Sequence, residues 1–151
     1  MQDYRKVMQD TRHGSPNDNL HYAAEHGYEK LAWSMIRKGA SNYNMAMYTA
    51  AKYGHMSIVE LMLQRGATGY HVALKYAAGS GRMDIVKLML QKNAGDYNEA
   101  MVIAASGGHI GVVELLLQKG ADDYNDAMHY ATVYGRMGVV EFIERWRACN
   151  S

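Results

Sequence analysis

The chain repeats itself every 27 residues: Gly54, Gly81, Gly108 and Gly135 fall in one register and Tyr43, Tyr70, Tyr97 and Tyr124 in another. On that ruler Asn44 to Ala67 aligns with His71 to Ala94, Asn98 to Ala121 and Asn125 to Ala148, and a fainter copy, Asn17 to Ala40, precedes them. Self-similarity at a fixed period in this range marks a solenoid, because so short a unit cannot bury its own apolar face and must stack on its neighbours. Such a chain offers a surface to a partner rather than a catalytic cleft.

Within one unit, Ala46, Met47, Ala50 and Ala51 share one face of a first helix, and Ile58, Val59, Leu61, Met62 and Leu63 make a broader apolar face on a second. The pattern predicts two short helices per unit and no strands. Asn44, Asn98 and Asn125 stand where the first helix should begin and are expected to cap it, with His71 a poorer cap in the remaining copy. The glycines at 54, 81, 108 and 135 should form the reversal between helices, where positive φ is needed. Asn93 replaces the glycine that follows the second helix in other copies, an exchange that a left-handed residue allows. The alanine pairs Ala50/Ala51, Ala77/Ala78 and Ala104/Ala105 let first helices approach closely, while the bulkier second helices fill the wider side, with Leu88 expected in the core. The first-helix side is therefore the expected inner, binding face, and Glu60, Lys87, Glu114 and Glu141 the outer polar stripe.

Composition narrows the function classes. An apolar fraction of 48% in 151 residues supports a folded chain, and a net charge of +1 gives no electrostatic drive toward nucleic acid or an anionic membrane. The single cysteine, Cys149, cannot form an internal disulfide, which points to a reducing cytoplasm or nucleus. The opening MQDYRKVMQD has no apolar signal core, and no run approaches a membrane span, so neither secretion nor membrane insertion is expected.

The stretches AAKYGHMSIVELMLQRGA (Ala50 to Ala67) and AASGGHIGVVELLLQKGAD (Ala104 to Asp122) resemble the ankyrin repeat pattern A-A-x-x-G-H-x-x-V-V-x-L-L-L-x-x-G-A-D. The resemblance covers residues 17 to 148. It implies an all-α, ankyrin-like helical-hairpin solenoid in a single domain over 1–151: a capping half-repeat over 1–16, then repeats over 17–42, 43–69, 70–96, 97–123 and 124–148. Tyr4, Val7 and Met8 supply helical spacing for the cap. Two departures stand out. The unit is six residues shorter than the family's usual 33, at the expense of the finger between repeats, and the T-P-L-H opening is replaced by NMAMY (Asn44 to Tyr48) and NDAMH (Asn125 to His129). The shortened unit is similar in style to ankyrin repeats of large DNA viruses that infect amoebae, which implies a viral protein acting on a host factor in the host cytosol.

No residue set suggests chemistry. His55 and His109 share their register with Arg82 and Arg136, which cannot ligate zinc, so these histidines are expected to be turn residues. His21 and His26 are spaced wrongly for two ligands on one helical face. Gly79-Ser80-Gly81 falls between helices rather than after a strand, and is a turn, not a phosphate loop. Trp33 and Trp146 occur only in the terminal repeats and are expected to pack the caps. No metal, cofactor or catalytic residue is expected.

Tyr43, Tyr70, Tyr97 and Tyr124 recur in every full repeat and belong to the scaffold, packing the short loops. Tyr22, Tyr76, Ile103 and Tyr130 share a register that varies, as do His26, Tyr53 and Tyr134 four residues later in the unit. Variation inside a repeated unit marks positions the fold does not dictate, and aromatic side chains there suit a partner surface. The expected function is a noncatalytic, monomeric protein-interaction module whose inner face carries these seven residues. The resemblance also implies an alternative, a substrate or decoy of an asparaginyl hydroxylase, since Leu90…Asp96-Tyr97-Asn98 and Leu117…Asp123-Tyr124-Asn125 fit the target pattern of that enzyme class and single out Asn98 and Asn125.

Overall fold

A computed structural model describes residues 14–151, together with residues 6 and 9. The expected capping residues Tyr4, Val7 and Met8 lie outside the described residues. The described chain holds ten helices and no strand. They alternate in length and role as α1 Pro16–His26, α2 Glu29–Arg37, α3 Tyr43–Tyr53, α4 Met56–Gln64, α5 Tyr70–Gly79, α6 Met83–Gln91, α7 Tyr97–Gly107, α8 Ile110–Gln118, α9 Tyr124–Val133 and α10 Met137–Asn150. Loops of five residues join successive repeats, too few for the paired strands of a finger.

The helices fall into two compact units, Met1–Thr68 with α1 to α4 and Gly69–Ser151 with α5 to α10. In the first unit α1 packs on α2 and α3, and α3 on α4. In the second, α5 packs on α6 and α7, α7 on α8 and α9, and α9 on α10. First helices within a unit lie in close contact, whereas second helices touch only sparsely. The alanines are the cause: Ala23, Ala24, Ala50, Ala51, Ala77, Ala78, Ala104 and Ala105 are fully buried, with no side chain long enough to hold the helix axes apart.

The second helices contribute the bulk of the core. Met35, Met62, Met89, Leu116 and Ile143 occupy one register and are all buried, each contributing about 1.5–3 kcal/mol by leaving water. Leu88 departs from expectation. It is only half-buried, although Leu61 in the same register is buried, and Met89 beside it is fully buried.

Glycine reverses the chain between helices as the sequence predicts; Gly54 ends α3 at φ 86° and its amide closes on the Ala50 carbonyl. Asn93 takes the left-handed conformation at φ 58°, so the exchange for glycine holds. The helix entrances differ from expectation. Tyr43, Tyr97 and Tyr124 open the first helices, which places Asn44, Asn98 and Asn125 one residue inside rather than at the cap. The cap residues Asn42 and Asp123 instead adopt inverse γ-turns, with the amide of Tyr43 donating to the Ser41 carbonyl and that of Tyr124 to the Asp122 carbonyl, each at 2.8 Å. Among the described helices only α1 has a side-chain cap: Ser15 and Asp18 form a capping box, and the serine hydroxyl and amide hold the Asp18 carboxyl below its ordinary range.

Candidate interaction surface

The displaced asparagines clasp the next loop along. Asn17 Oδ1 accepts from the amides of Ser41 and Asn42 at 2.8 and 3.0 Å, Asn44 Oδ1 from that of Thr68 at 2.8 Å, and Asn98 Oδ1 from those of Asp122 and Asp123 at 2.7 and 3.1 Å. The same geometry recurs because the period returns the loop to the same place, 24 residues on. His71 stands in the asparagine register of the third repeat, and in the loop it faces Asp96 turns to φ 58° where Asn42 and Asp123 lie at −78° and −81°. Asn125 makes no such bond among the described residues, since α10 is still helical where its loop would be. Sequence reasoning missed the clasp; the fixed spacing from asparagine to loop amide was the signal.

The histidines also reach across repeats. Nε2 of His55 donates to the Glu25 carbonyl and Nε2 of His109 to the Gly79 carbonyl, both at 3.0 Å, and Arg136 Nε donates to the Ser106 carbonyl at 3.3 Å. A nitrogen that must carry a proton to make this bond cannot ligate a metal, and an arginine serves the same register equally well. Among the described residues no group of three His, Cys, Asp or Glu is disposed to hold a metal ion.

In the first unit, two of the expected binding residues, Tyr22 and His26, come together. The Tyr22 and His26 rings stack with centroids 4.2 Å apart, and Tyr28 closes the cluster at 5.6 Å from His26. Nδ1 of His26 lies 3.0 Å from the Tyr22 carbonyl and therefore carries the proton. Tyr53, 39% exposed, donates its hydroxyl to Glu25 Oε1 at 3.1 Å. That hydrogen bond, with the carboxylate charge behind it, raises the Tyr53 pKa above the ordinary tyrosine value.

In the second unit Tyr76 and Tyr130 are about equally exposed, at 45% and 44%, and Tyr134 more so at 61%. Ile103 behaves differently. It is half-buried, with Cγ2 2.7 Å from where a Cβ on Gly79 would stand, so it packs onto the bare backbone of the preceding repeat. Lys75 and Glu99 form an ion pair at 2.8 Å between α5 and α7. A groove of about 540 Å³ opens at the loop end of this unit, lined by Asp96, Asn98, Glu99, Asp123 and Asp126 among others. Trp33 does not bury as a cap: it is 39% exposed, with the Arg65 guanidinium 4.6 Å from its ring. Trp146 is half-buried beside Phe142, with ring centroids 6.3 Å apart.

Paired antiparallel helices, alanine seams between first helices and side chains reaching from one hairpin to the next define a helical-hairpin repeat protein. The sequence model of the family described as ankyrin repeats (3 copies) matches residues 20–99 and again 74–145. The chain belongs to the ankyrin repeat family. No curated protein matches it. Ankyrin repeats generally mediate protein–protein interaction and the family is typically noncatalytic. No helix among the described residues is long and apolar enough to cross a membrane.

Proposed function

We propose that this chain is a monomeric, noncatalytic binding module that engages a protein partner through the exposed side of its first helices. The contrast along those helices carries the reading. Positions facing the neighbouring repeat are alanines buried to 0%, while Tyr53, Tyr76, Tyr130 and Tyr134, on the same helices or at their ends, are between 39% and 61% exposed. Tyrosine combines a large apolar body with a hydroxyl at low entropic cost, and is enriched among residues that dominate binding energy. In its finer form the proposal is a viral protein acting on a host factor in the cytosol, a reading supported by the 27-residue, finger-less unit.

The test is an affinity scan against a partner recovered by pull-down. Tyr53→Ala, Tyr76→Ala and Tyr130→Ala should leave melting nearly unchanged, yet weaken binding by about 2 kcal/mol or more wherever one is a hot spot. Glu60→Ala and Glu114→Ala on the second helices should stay within about 0.5 kcal/mol in both measurements. An outcome in which the glutamates matter and the tyrosines do not reverses the choice of face.

A second reading, modification of Asn98 or Asn125 by an asparaginyl hydroxylase, is favoured by the exposure of both side chains. Intact-mass measurement of the protein from its native host tests it, each hydroxylation adding one oxygen.

A further inference from the structure

The groove between α7 and α9 has a counterpart in the first unit, and the two differ in charge. Asn17, Asp18, His21, Asn42 and Met45 line the first where Asn98, Glu99, Val102, Asp123 and Asp126, in the same registers, line the second. In the first, of about 250 Å³, the one carboxylate is Asp18, already held by the Ser15 hydroxyl and amide. The second, of about 540 Å³, adds Asp96 to Glu99, Asp123 and Asp126. Glu99 is engaged by Lys75. Among the described residues no cation of the chain and no hydrogen-bond donor reaches the carboxylates of Asp96, Asp123 or Asp126.

A carboxylate in the first turn of a helix is favoured by the helix dipole, but the fold does not require one here. Met45 and Val72 hold the register of Glu99 and Asp126, and Asn42 and Gly69 that of Asp96 and Asp123, at the starts of helices that run to ten or eleven residues all the same. Acidic identity is therefore a property of this groove and not of the repeat. Asp126 and Tyr130 stand one turn apart on α9, so the groove is continuous with the face that the exposed tyrosines occupy. Tyr97 and Val102, both half-buried, add apolar surface to its lining. A lysine or arginine side chain matches both parts, with an apolar stem to lie on Tyr97 and Val102 and a cationic head for the unpaired carboxylates.

We infer that the protein bound by the first helices of the second unit presents a basic segment, one of whose lysine or arginine side chains enters the groove between α7 and α9 while the neighbouring residues lie on Tyr130. This rests on the binding face proposed above and names the chemistry of what that face takes. The first unit, whose groove has no unpaired carboxylate, does not share the preference.

The test selects from a phage-displayed library of short random-sequence peptides on the full chain. The enriched peptides should be rich in lysine and arginine. The strongest of them, measured by fluorescence anisotropy, should bind at least about tenfold more weakly to a chain carrying Asp123→Asn with Asp126→Asn. Removing the same charge from the second helices, by Glu114→Gln with Glu141→Gln, should change its affinity by less than about twofold. Circular dichroism checks that both variants are folded. Should the aspartate variant unfold, a salt titration of the unaltered chain decides, since a contact between exposed charges must weaken as salt rises from about 0.05 to 0.5 M. Basic peptides indifferent to the aspartate change or to salt overturn the inference, as does a selection that enriches nothing. Peptides without basic residues that are lost with Tyr130→Ala, yet held with the aspartate variant, overturn it while leaving the tyrosine face as the binding surface.

Discussion

His71→Asn should stabilise the protein. The loops after the first, second and fourth repeats are each held by an asparagine carbonyl accepting loop amides, and the loop at Gly95 and Asp96, which faces His71, is not. Its backbone takes a different path, with Asp96 at φ 58° and ψ 44° against −81° and 59° at Asp123. The two loops have the same length and differ at Asn93 and Gly95, which stand for Gly120 and Asp122, and in the acceptor that faces them, which the substitution isolates. Asparagine at 71 would accept from the Gly95 and Asp96 amides as Asn98 does from those of Asp122 and Asp123. Both bonds are exposed, so about 0.5 kcal/mol each is the reasonable net value. Leaving the left-handed region returns about another 0.5–1 kcal/mol, less than the usual penalty of about 1–2 kcal/mol because aspartate tolerates that conformation. The sum is about 1.5–2 kcal/mol, or roughly 3–8 °C in melting temperature for a chain of this size. Urea denaturation and thermal melting measure it. The mechanism makes a sharper claim through a double-mutant cycle. Asp96→Gly alone should stabilise by relieving the positive φ, but in the His71→Asn background that benefit should vanish, because residue 96 no longer sits there. Additive effects, or a His71→Asn protein no more stable than its parent, would refute the account.

Met89→Ala should cost about 2–5 kcal/mol and Leu88→Ala distinctly less in the same denaturation series, because Met89 is fully buried and Leu88 only half. Gly81→Ala and Gly135→Ala share the cost of a positive φ, about 1–2 kcal/mol, but only Gly81→Ala also places a Cβ 2.5 Å from His109, so it should melt measurably lower than Gly135→Ala. In an ultraviolet pH titration Tyr53 should ionise above the ordinary tyrosine value, and Glu25→Gln should bring it down. The sign follows from a raised folded-state pKa: what the contact contributes to stability is complete below the ordinary tyrosine range and lost as pH rises through the Tyr53 value.

The fold was legible because it is written several times over. A single copy of Ala50-Ala51 is compatible with many helices, but its recurrence as Ala77-Ala78 and Ala104-Ala105 identifies the seam, and the seam is buried as read. Short loops excluded fingers by length alone. What the sequence did not disclose is where a polar side chain finds its partner when the partner lies one repeat away. Asn98 beside a helix start looks like a local cap, and only the stacked geometry brings Asp122 and Asp123 to it in place of its own helix. Leu88 is a different matter: Leu61 in the same register is buried and Leu88 is not, so apolar identity at a repeated helix position does not by itself set its depth. The candidate site was legible only as exposure. Tyr76 and Tyr130 stand out from the surface as periodic variation suggested, while Ile103 in the same register turned into packing once Gly79 left space for it.

The asparagine register also ties the end of the second unit to its beginning. Asn125 carries the clasping side chain, yet the residue it would hold, Cys149, is helical, because Arg147 replaces the glycine that would have turned the chain. Asn125 thus retains the equipment of an inner repeat after the loop that equipment serves has been absorbed into α10. Gly135 has the same character, a left-handed glycine with nothing near its Cβ position where Gly81 and Gly108 are each met by a side chain of the next hairpin. Thr132 does not: it replaces the buried alanine of Ala78 and Ala105 and turns its hydroxyl onto the Met128 carbonyl at 2.8 Å, a polar substitution suited to water. Along α9, then, the alanine seam is interrupted by a polar residue that satisfies its own hydroxyl, while the turn that follows keeps its left-handed glycine.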